Sequence, residues 1–98
     1  MFGKTEHVHF VGIGGIGMSG LAIFLRNMKF KVSGSDIQRS DITRALYKMG
    51  IKVSYRHTKK NVQNADVVVY STAIRKDNPE LAEAGNIRLI HELRVLRR

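Results

Sequence analysis

HVHFVGIGGIGMSG, residues 7–20, is the stretch that decides the fold of this chain. Here an apolar run stops at a cluster of glycines, and an apolar pattern with helical spacing follows. Gly12, Gly14 and Gly17 have the G-x-G-x-x-G spacing, which combines a tight turn after a strand, a close approach to the backbone and a helix packed near a sheet. The stretch therefore predicts a strand over residues 6–11, then a glycine loop, then a helix.

The predicted helix begins near Gly15 or Ile16, so its free N–H groups and the positive end of its dipole face the loop. An anion, above all a diphosphate, is the expected occupant of such a loop. Between Glu6 and Arg26 the chain has no lysine or arginine, so backbone amides would hold the anion, unlike in an ATP-hydrolysing G-x-x-x-x-G-K-[ST] loop. The alternative is that the glycines serve only the close packing of helix on sheet.

Asp36 bears on the choice between these two interpretations. It follows Gly17 by 19 positions, at the end of a second predicted strand, Lys31–Ser35. In dinucleotide sites an acidic residue at this place accepts a hydrogen bond from a ribose hydroxyl. The spacing therefore favours nucleotide binding over packing alone.

Length and composition are those of an ordinary globular domain. The chain has 98 residues, 43% hydrophobic and 26% charged, which suits one core but not a complete two-half dinucleotide fold. The absence of cysteine excludes disulfides and thiolate metal sites and is compatible with a reducing, cytoplasmic location, which we expect. No apolar run approaches the roughly 20 residues of a membrane helix, and the N-terminus lacks the apolar region of a signal peptide, so we expect no membrane partner.

The charge of the chain favours an anionic partner, since 17 basic residues against 8 acidic ones give a formal charge of +9. The basic residues are scattered from Lys4 to Arg98, aromatic side chains are few, and no nucleic-acid motif is present. A solvated basic surface is therefore favoured over a nucleic-acid-binding face. The hypothesis of nucleic-acid binding rests on charge alone.

Apolar residues at helical spacing predict two helices that each turn one face toward the sheet. The predicted inward residues of the first helix are Gly17, Leu21, Phe24 or Leu25, and Met28. Those of the second, which Ser40 or Asp41 caps and Gly50 ends, are Ile42, Ala45, Leu46 and Met49. A third helix starts at Asn78-Pro79, because proline suits a first helical turn.

Further strands are predicted over residues 51–55, 66–70 and 87–90, with a final helix over 91–98 and a short disordered lead over 1–5. Alternating strands and helices are typical of a parallel sheet covered on both faces. We therefore predict an α/β fold, a three-layer Rossmann-like domain whose mostly parallel five-stranded sheet has the order 3-2-1-4-5. The ordered core spans about residues 6–93, and the ligand crevice lies beside strands 1 and 4.

Other polar residues follow the predicted strands at the edge where open α/β sheets bind ligands. His57 follows the third strand, either as a ligand contact or as an exposed loop residue. The hydroxyls of Ser71 and Thr72 follow the fourth strand and either meet a base or sugar or cap local turns. His7 and His9 face the same side of the first strand, and with no third ligand nearby in sequence we assign them structural roles.

The order of these motifs closely resembles the N-terminal domain of the Mur ligase family. The resemblance rests on the loop GIGGIGMSG (12–20), the strand end Ser35-Asp36, the loop STAI (71–74) and the helix start DNPE (77–80). It covers nearly all of residues 7–93, in order and without a large gap.

This resemblance implies an enzyme of peptidoglycan synthesis that joins L-alanine to the lactyl carboxylate of UDP-N-acetylmuramate. The full-length enzyme would use ATP and Mg²⁺ through an acyl-phosphate. In the family the N-terminal domain holds the UDP part of the substrate, a central domain carries the ATP loop and the catalytic residues, and a C-terminal domain helps to bind the amino acid. We therefore expect residues 1–98 to be a single UDP-sugar-binding domain, without those two domains, without a catalytic residue, cofactor or metal of its own, and inactive alone.

The resemblance also implies which residues bind the substrate. Gly14, Gly15, Ile16 and Gly17 would offer amides to the diphosphate, Asp36 and Ile37 would lie beside the uridine, and His57, Thr72, Ala73 and Asn78 would line the rest of the pocket. The chain departs from the family pattern at Arg56, where glycine is common before the histidine, and at His91, where arginine is usual before the glutamate. These departures concern the placement of His57 and the exit from the domain.

From the residues alone, a regulatory NAD-binding Rossmann module is the alternative. Asp36 supports it, because its position suits a ribose hydroxyl. Five short strands leave no second nucleotide-binding half, so the predicted fold suits one nucleoside diphosphate better.

Overall fold

The computed structural model describes residues 6–84 and the backbone of residues 88–91 as one sheet with helices. The strands are β1 (His7–Val11), β2 (Lys31–Ser35), β3 (Lys52–Ser54), β4 (Val67–Tyr70) and β5 (Arg88–His91). The helices are α1 (Met18–Asn27), α2 (Asp41–Lys48) and α3 (Pro79–Glu83), and a short 3-10 helix, Lys59–Val62, precedes β4.

The predicted sheet is confirmed in both strand direction and strand order. Every pairing is parallel, and the order is β3-β2-β1-β4-β5. All five residues of β1 are buried, because a central parallel strand is covered on both faces. The order reverses between β1 and β4, so the loops that follow these two strands meet at one edge of the sheet.

Hydrophobic layers cover the two faces of the sheet, which confirms the three-layer architecture. On one face Phe10 of β1 packs in a cluster with Leu25 of α1. On the other face Val68 of β4 packs in a cluster with Val62 of the 3-10 helix and Ala84 after α3. Each face of the sheet is thus packed against its own hydrophobic cluster, and together the two clusters fix the strands whose ends carry the loops.

Helix α1 begins at Met18, slightly later than predicted. The loop first makes a turn in which the Gly15 N–H donates to the Gly12 carbonyl oxygen at 3.0 Å. Gly12 and Gly17 have φ angles of +81° and +84°, a region that favours glycine. The chain therefore uses glycines both to leave the strand and to enter the helix, and the first helical turn starts only after Gly17.

The inward face of α1 matches the prediction at Leu25, which is buried, and at Leu21, which packs against the core, and differs from it elsewhere. Its buried residues are Met18, Ala22 and Leu25, whereas Phe24 and Met28 are 57% and 43% exposed. Successive residues of an α-helix are about 100° apart around its axis, so an error of one residue in the predicted positions turns the predicted face away from the sheet. Because Gly17 lies outside the helix, Ala22 is the small residue that faces the sheet.

Helix α2 is capped by Ser40, as predicted, through a capping box with Thr43. The Thr43 N–H donates to Ser40 Oγ at 3.1 Å, and the Ser40 N–H donates to Thr43 Oγ1 at 2.9 Å. This exchange holds Thr43 inward, so the buried residues of the helix are Thr43 and Leu46. The predicted inward residues Ile42, Ala45 and Met49 are therefore exposed. Gly50 follows the helix with a φ of +88°, which confirms the predicted end.

Strand β5 ends at His91, the residue predicted to begin the last helix. The backbone of His91 is in register with Tyr70, so the parallel pairing extends one residue beyond the predicted strand. The assignment of His91 to a helix is wrong for this reason. The rest of that helix, residues 92–98, and the lead over residues 1–5 lie outside the described residues.

Candidate functional site

An open cavity of about 480 Å³ lies at the carboxyl edge of the sheet, between the loops after β1 and β4. Six of the ten predicted substrate-binding residues line it: Gly15, Asp36, Ile37, His57, Ala73 and Asn78. The other four, Gly14, Ile16, Gly17 and Thr72, lie within two positions of these residues in the sequence but do not line the cavity. The fold thus brings the glycine loop, the end of β2 and the segment before α3 to one place.

A cavity of about 550 Å³ lies at the opposite edge of the sheet, where Glu6, Lys29, Lys31 and Asp66 line it. These residues are at the amino ends of the strands. Open α/β sheets bind ligands outside the carboxyl ends, so the smaller cavity beside the glycine loop is the candidate site.

Some backbone N–H groups of the glycine loop donate hydrogen bonds within the protein, and others do not. The Gly14 N–H donates to Asp36 Oδ2 at 2.9 Å, and the Gly15 N–H is taken by the turn to Gly12. Within the described residues, the N–H groups of Ile16, Gly17 and Met18 donate no hydrogen bond. These three donors at the start of α1 are the ones available to an anion.

Asp36 holds the loop against the end of β2. Its Oδ2 accepts from the Gly14 N–H and its Oδ1 accepts from the Gln38 N–H at 3.0 Å. A Cβ atom at Gly14 would lie 2.8 Å from Asp36 Oδ2, closer than real Cβ contacts come, and 3.0 Å from Thr43 Cγ2, which is a tight contact. Glycine at position 14 therefore lets the carboxylate and α2 approach the loop, and a larger residue would displace the Asp36 side chain.

Glu80 is a buried polar group beneath the cavity that the sequence did not single out. Its side chain is fully buried. Its Oε1 accepts from His9 Nε2 at 2.8 Å and from Ser35 Oγ at 2.7 Å. Its Oε2 accepts from the Thr58 N–H at 3.1 Å and from Asn61 Nδ2 at 2.7 Å. Four donors from three parts of the chain, β1, β2 and the segment around the 3-10 helix, thus converge on one carboxylate.

These donors decide the ionisation of Glu80. Burial by itself would raise the pKa of the carboxyl, but the hydrogen bonds from His9, Asn61 and Ser35 outweigh burial and lower that pKa. In the sequence Glu80 has only the signature of a first helical turn after Asn78 and Pro79. No local pattern reveals partners such as His9, which is 71 positions away.

His7 and His9 are built into the core through one hydroxyl. His7 Nε2 and His9 Nδ1 lie 2.7 and 2.8 Å from Ser33 Oγ. The pKa of His7 is lowered, mainly because burial disfavours its charged form. These contacts match the predicted structural roles, and within the described residues no group of three potential ligands is arranged to hold a metal ion.

His57 reaches the same network from the other side. Its Nδ1 lies 2.8 Å from Ser35 Oγ and 3.5 Å from Glu80 Oε2. The preceding residue, Arg56, does not have a positive φ, so its side chain causes no backbone strain there. Arg56 contributes its carbonyl oxygen, which accepts from Asn61 Nδ2 at 2.8 Å.

The segment before α3 uses its polar groups to build its own turns. Ser71 Oγ accepts from the Ala73 N–H at 3.3 Å, and Asn78 Oδ1 accepts from the Glu80 N–H at 2.8 Å as the cap of α3. The Ser71 hydroxyl therefore caps a local turn, which is one of the two roles considered for it from the sequence. Thr72 is exposed.

The strand order, the glycine loop and the cavity at the switch point define a Rossmann-like α/β domain. A family model described as "Mur ligase family, catalytic domain" matches residues 7–96. The chain belongs to the Mur ligase family.

Relatives and solved structures agree with this assignment. The chain is 57% identical over 82 residues to the UDP-N-acetylmuramate–L-alanine ligase of Sorangium cellulosum, and 56% identical over 90 residues to the ligase of the same name of a Geobacter species. These alignments cover 84% and 92% of this chain but 18% and 19% of the relatives. A crystal structure of UDP-N-acetylmuramate-alanine ligase from Thermotoga maritima is 35% identical, with a TM-score of 0.88 over 96% of this chain and 22% of that one. The chain therefore spans about a fifth of the length of these proteins.

None of the helices in the described ranges has the length and apolar character that crossing a membrane requires.

Proposed function

We propose that this chain is the UDP-binding domain of a ligase that joins L-alanine to UDP-N-acetylmuramate. The names of relatives that are 56–57% identical support the substrate, and their greater length supports further domains that would carry ATP, Mg²⁺ and the catalytic residues. The observation that carries the proposal is the cavity at the switch point, beside three free amides at the start of α1. The lack of cysteine fits the cytoplasm as its compartment.

In this proposal the diphosphate binds at the N-terminus of α1. The N–H groups of Ile16, Gly17 and Met18 donate to phosphate oxygens, and the positive end of the helix dipole adds to the attraction. The N–H groups of Gly14 and Gly15 already have acceptors at Asp36 and Gly12. The role of these two glycines is to let the diphosphate come close to the backbone, because they have no side chain.

The uridine then lies along the end of β2. The Asp36 carboxylate accepts from ribose hydroxyls, as acidic residues at this position do in related folds. Ile37 is 71% exposed and offers an apolar surface to the base. His57, Thr72, Ala73 and Asn78 surround the remaining ligand.

The contribution of such a domain to the reaction is positional. It holds the sugar nucleotide through groups remote from the reacting carboxylate, so that the carboxylate meets ATP in the correct orientation. The binding energy of the nucleotide is thereby used to reduce the entropic cost of bringing two substrates together.

A regulatory NAD-binding module is the second candidate, because the Asp36 carboxylate lies at the glycine loop as in dinucleotide sites. The two candidates differ in their ligand. Calorimetric titration with UDP-N-acetylmuramate, UDP-N-acetylglucosamine and NADH separates them.

Two alanine variants test whether the glycine loop forms the site. Gly14→Ala closes the space beside Asp36, whereas a Cβ at Gly20 has no atom within 4 Å and provides the matched control. We expect UDP-N-acetylmuramate to bind the wild type and Gly20→Ala equally and Gly14→Ala more weakly. Binding of NADH alone would replace this proposal with the regulatory module.

A further inference from the structure

Ser35 has one hydroxyl proton and two partners that compete for it. Its Oγ donates to Glu80 Oε1 at 2.7 Å, and the same oxygen lies 2.8 Å from His57 Nδ1. A carboxylate oxygen is only an acceptor, so the proton of Ser35 is committed to Glu80. The contact between Ser35 and His57 is then a hydrogen bond only if Nδ1 of His57 carries a proton and donates it.

We propose that Glu80 is a positioning residue that, through Ser35, fixes His57 in the tautomer protonated at Nδ1 and so presents Nε2 to the cavity as a hydrogen-bond acceptor. His57 lines the cavity, and no group in the described part of the chain hydrogen-bonds to its Nε2. An acceptor at this position selects a ligand hydroxyl or N–H. Phosphate oxygens, which are acceptors themselves, are left to the amides of α1.

The directions of the hydrogen bonds in this network are fixed by the two donors to Glu80 Oε2. Thr58 donates through its backbone N–H, and Asn61 Nδ2 donates both to Glu80 Oε2 and to the Arg56 carbonyl oxygen. Neither donor can reverse without breaking another contact. The partners of Oε1 can reverse, because a hydroxyl rotates and an imidazole changes tautomer.

This asymmetry predicts what Glu80→Gln does. The glutamine oxygen must face the two fixed donors, Thr58 and Asn61, which places the NH₂ group against Ser35 and His9. Ser35 then accepts from the amide and donates its own proton to Nδ1 of His57. The tautomer of His57 therefore reverses to the form protonated at Nε2, although the side chain at position 80 keeps its shape.

Glu83→Gln is the matched control. Glu83 lies on the same helix and is exposed, and the substitution removes the same charge. If loss of a negative charge from this helix were enough to change the tautomer of His57, Glu83→Gln would change it as well.

The first test uses the ligand-free protein. Long-range ¹H–¹⁵N spectra at about pH 8, where an ordinary imidazole is neutral, distinguish the two tautomers, and His57→Gln identifies the His57 signals. We expect Nδ1–H in the wild type and in Glu83→Gln, and Nε2–H in Glu80→Gln. Nε2–H in the wild type, or the same tautomer in all three proteins, would overturn the proposal. If Glu80→Gln does not fold, the wild-type tautomer decides alone.

The second test concerns the ligand and rests on the proposed function. Titration with UDP should give about tenfold weaker binding to Glu80→Gln than to the wild type, the equivalent of one lost hydrogen bond, and no change for Glu83→Gln. Equal affinity in all three proteins would remove His57 as an acceptor for the ligand. If UDP binds none of them, the proposed function fails, while the tautomer result stands on its own.

Discussion

His9 of β1 and Glu80 of α3 form a buried pair, with His9 Nε2 2.8 Å from Glu80 Oε1 and side chains that are 1% and 0% exposed. One residue lies in the central strand and the other in the first turn of α3. The contact thus joins the helix beside the cavity to the centre of the sheet. Because both groups are polar and fully desolvated, removing either one leaves the other buried without a hydrogen-bond partner, which destabilises the folded state.

Glu80→Ala should destabilise the protein by about 3–5 kcal/mol, because it leaves several buried donors without an acceptor. Glu83→Ala, on the exposed side of the same helix, should change stability by less than about 0.5 kcal/mol. Urea unfolding at neutral pH measures both. Similar stability of the two variants would show that the donors find water or other acceptors.

Acid should weaken the protein partly through Glu80. Its pKa is lowered in the folded state, so its contribution is complete above the pKa of the unfolded carboxyl and is lost as the pH falls through the folded value. The free energy of unfolding should therefore fall with decreasing pH below about 4.5. Urea unfolding as a function of pH should show a shallower decline for Glu80→Gln. An identical pH dependence in the variant would contradict the assignment.

Gly34→Ala should destabilise by about 1–3 kcal/mol or more, because the new methyl group collides with the core. A Cβ at Gly34 would lie 2.5 Å from Ile13 Cβ and 2.8 Å from Ile13 Cγ2, and Ile13 is fully buried. Gly20→Ala is the control, since α1 has free space there and alanine favours helices. Thermal unfolding compares the two, and equal midpoints would mean that Ile13 moves aside at no cost.

Asp36→Asn should weaken UDP binding by about tenfold, because the amide is a poorer acceptor for ribose hydroxyls than the carboxylate. Asp41→Asn removes the same charge at an exposed position on α2 and should leave the affinity unchanged. Calorimetry provides the dissociation constants. A variant at position 36 with wild-type affinity would place the ribose elsewhere.

The chain alone should release no phosphate from ATP above background when it is given UDP-N-acetylmuramate and L-alanine. The reason is that the glycine loop, residues 12–17, has no lysine and does not match the G-x-x-x-x-G-K-[ST] pattern of ATP-hydrolysing loops. A phosphate-release assay, with a full-length ligase as the positive control, measures this. Substrate-dependent release by the chain would show that the catalytic groups lie within these residues.

Local sequence signals were sufficient wherever the backbone itself imposed the structure. The cap at Ser40 and the end of α2 at Gly50 were predicted because hydroxyl capping and positive φ are properties of single residues. The helical faces were predicted less well. Periodicity gives the width of an apolar stripe, but its orientation depends on where the helix starts and on what lies opposite, as Phe24 and Ile42 show.

The candidate site divides in the same way. The sequence placed Asp36 and the glycine loop together because the spacing belongs to one βαβ unit. The family resemblance also assigned the amides of Gly14 and Gly15 to the diphosphate, and in the structure these amides donate to Asp36 and Gly12. Which N–H groups remain free depends on the acceptors that the fold brings within about 3 Å, and the spacing of glycines does not report those.

The sequence by itself determined the alternating strands and helices, the parallel sheet and the edge at which the polar loop residues gather. Hydrophobic periodicity and glycine conformation are local, and the loops that follow parallel strands lie at the same edge of a sheet. Only the tertiary structure decided that Glu80 is a buried acceptor and that His57 reaches it through Ser35. The physical reason is that hydrogen bonds between distant segments depend on side-chain positions to within a few tenths of an ångström, and only the packed core sets these.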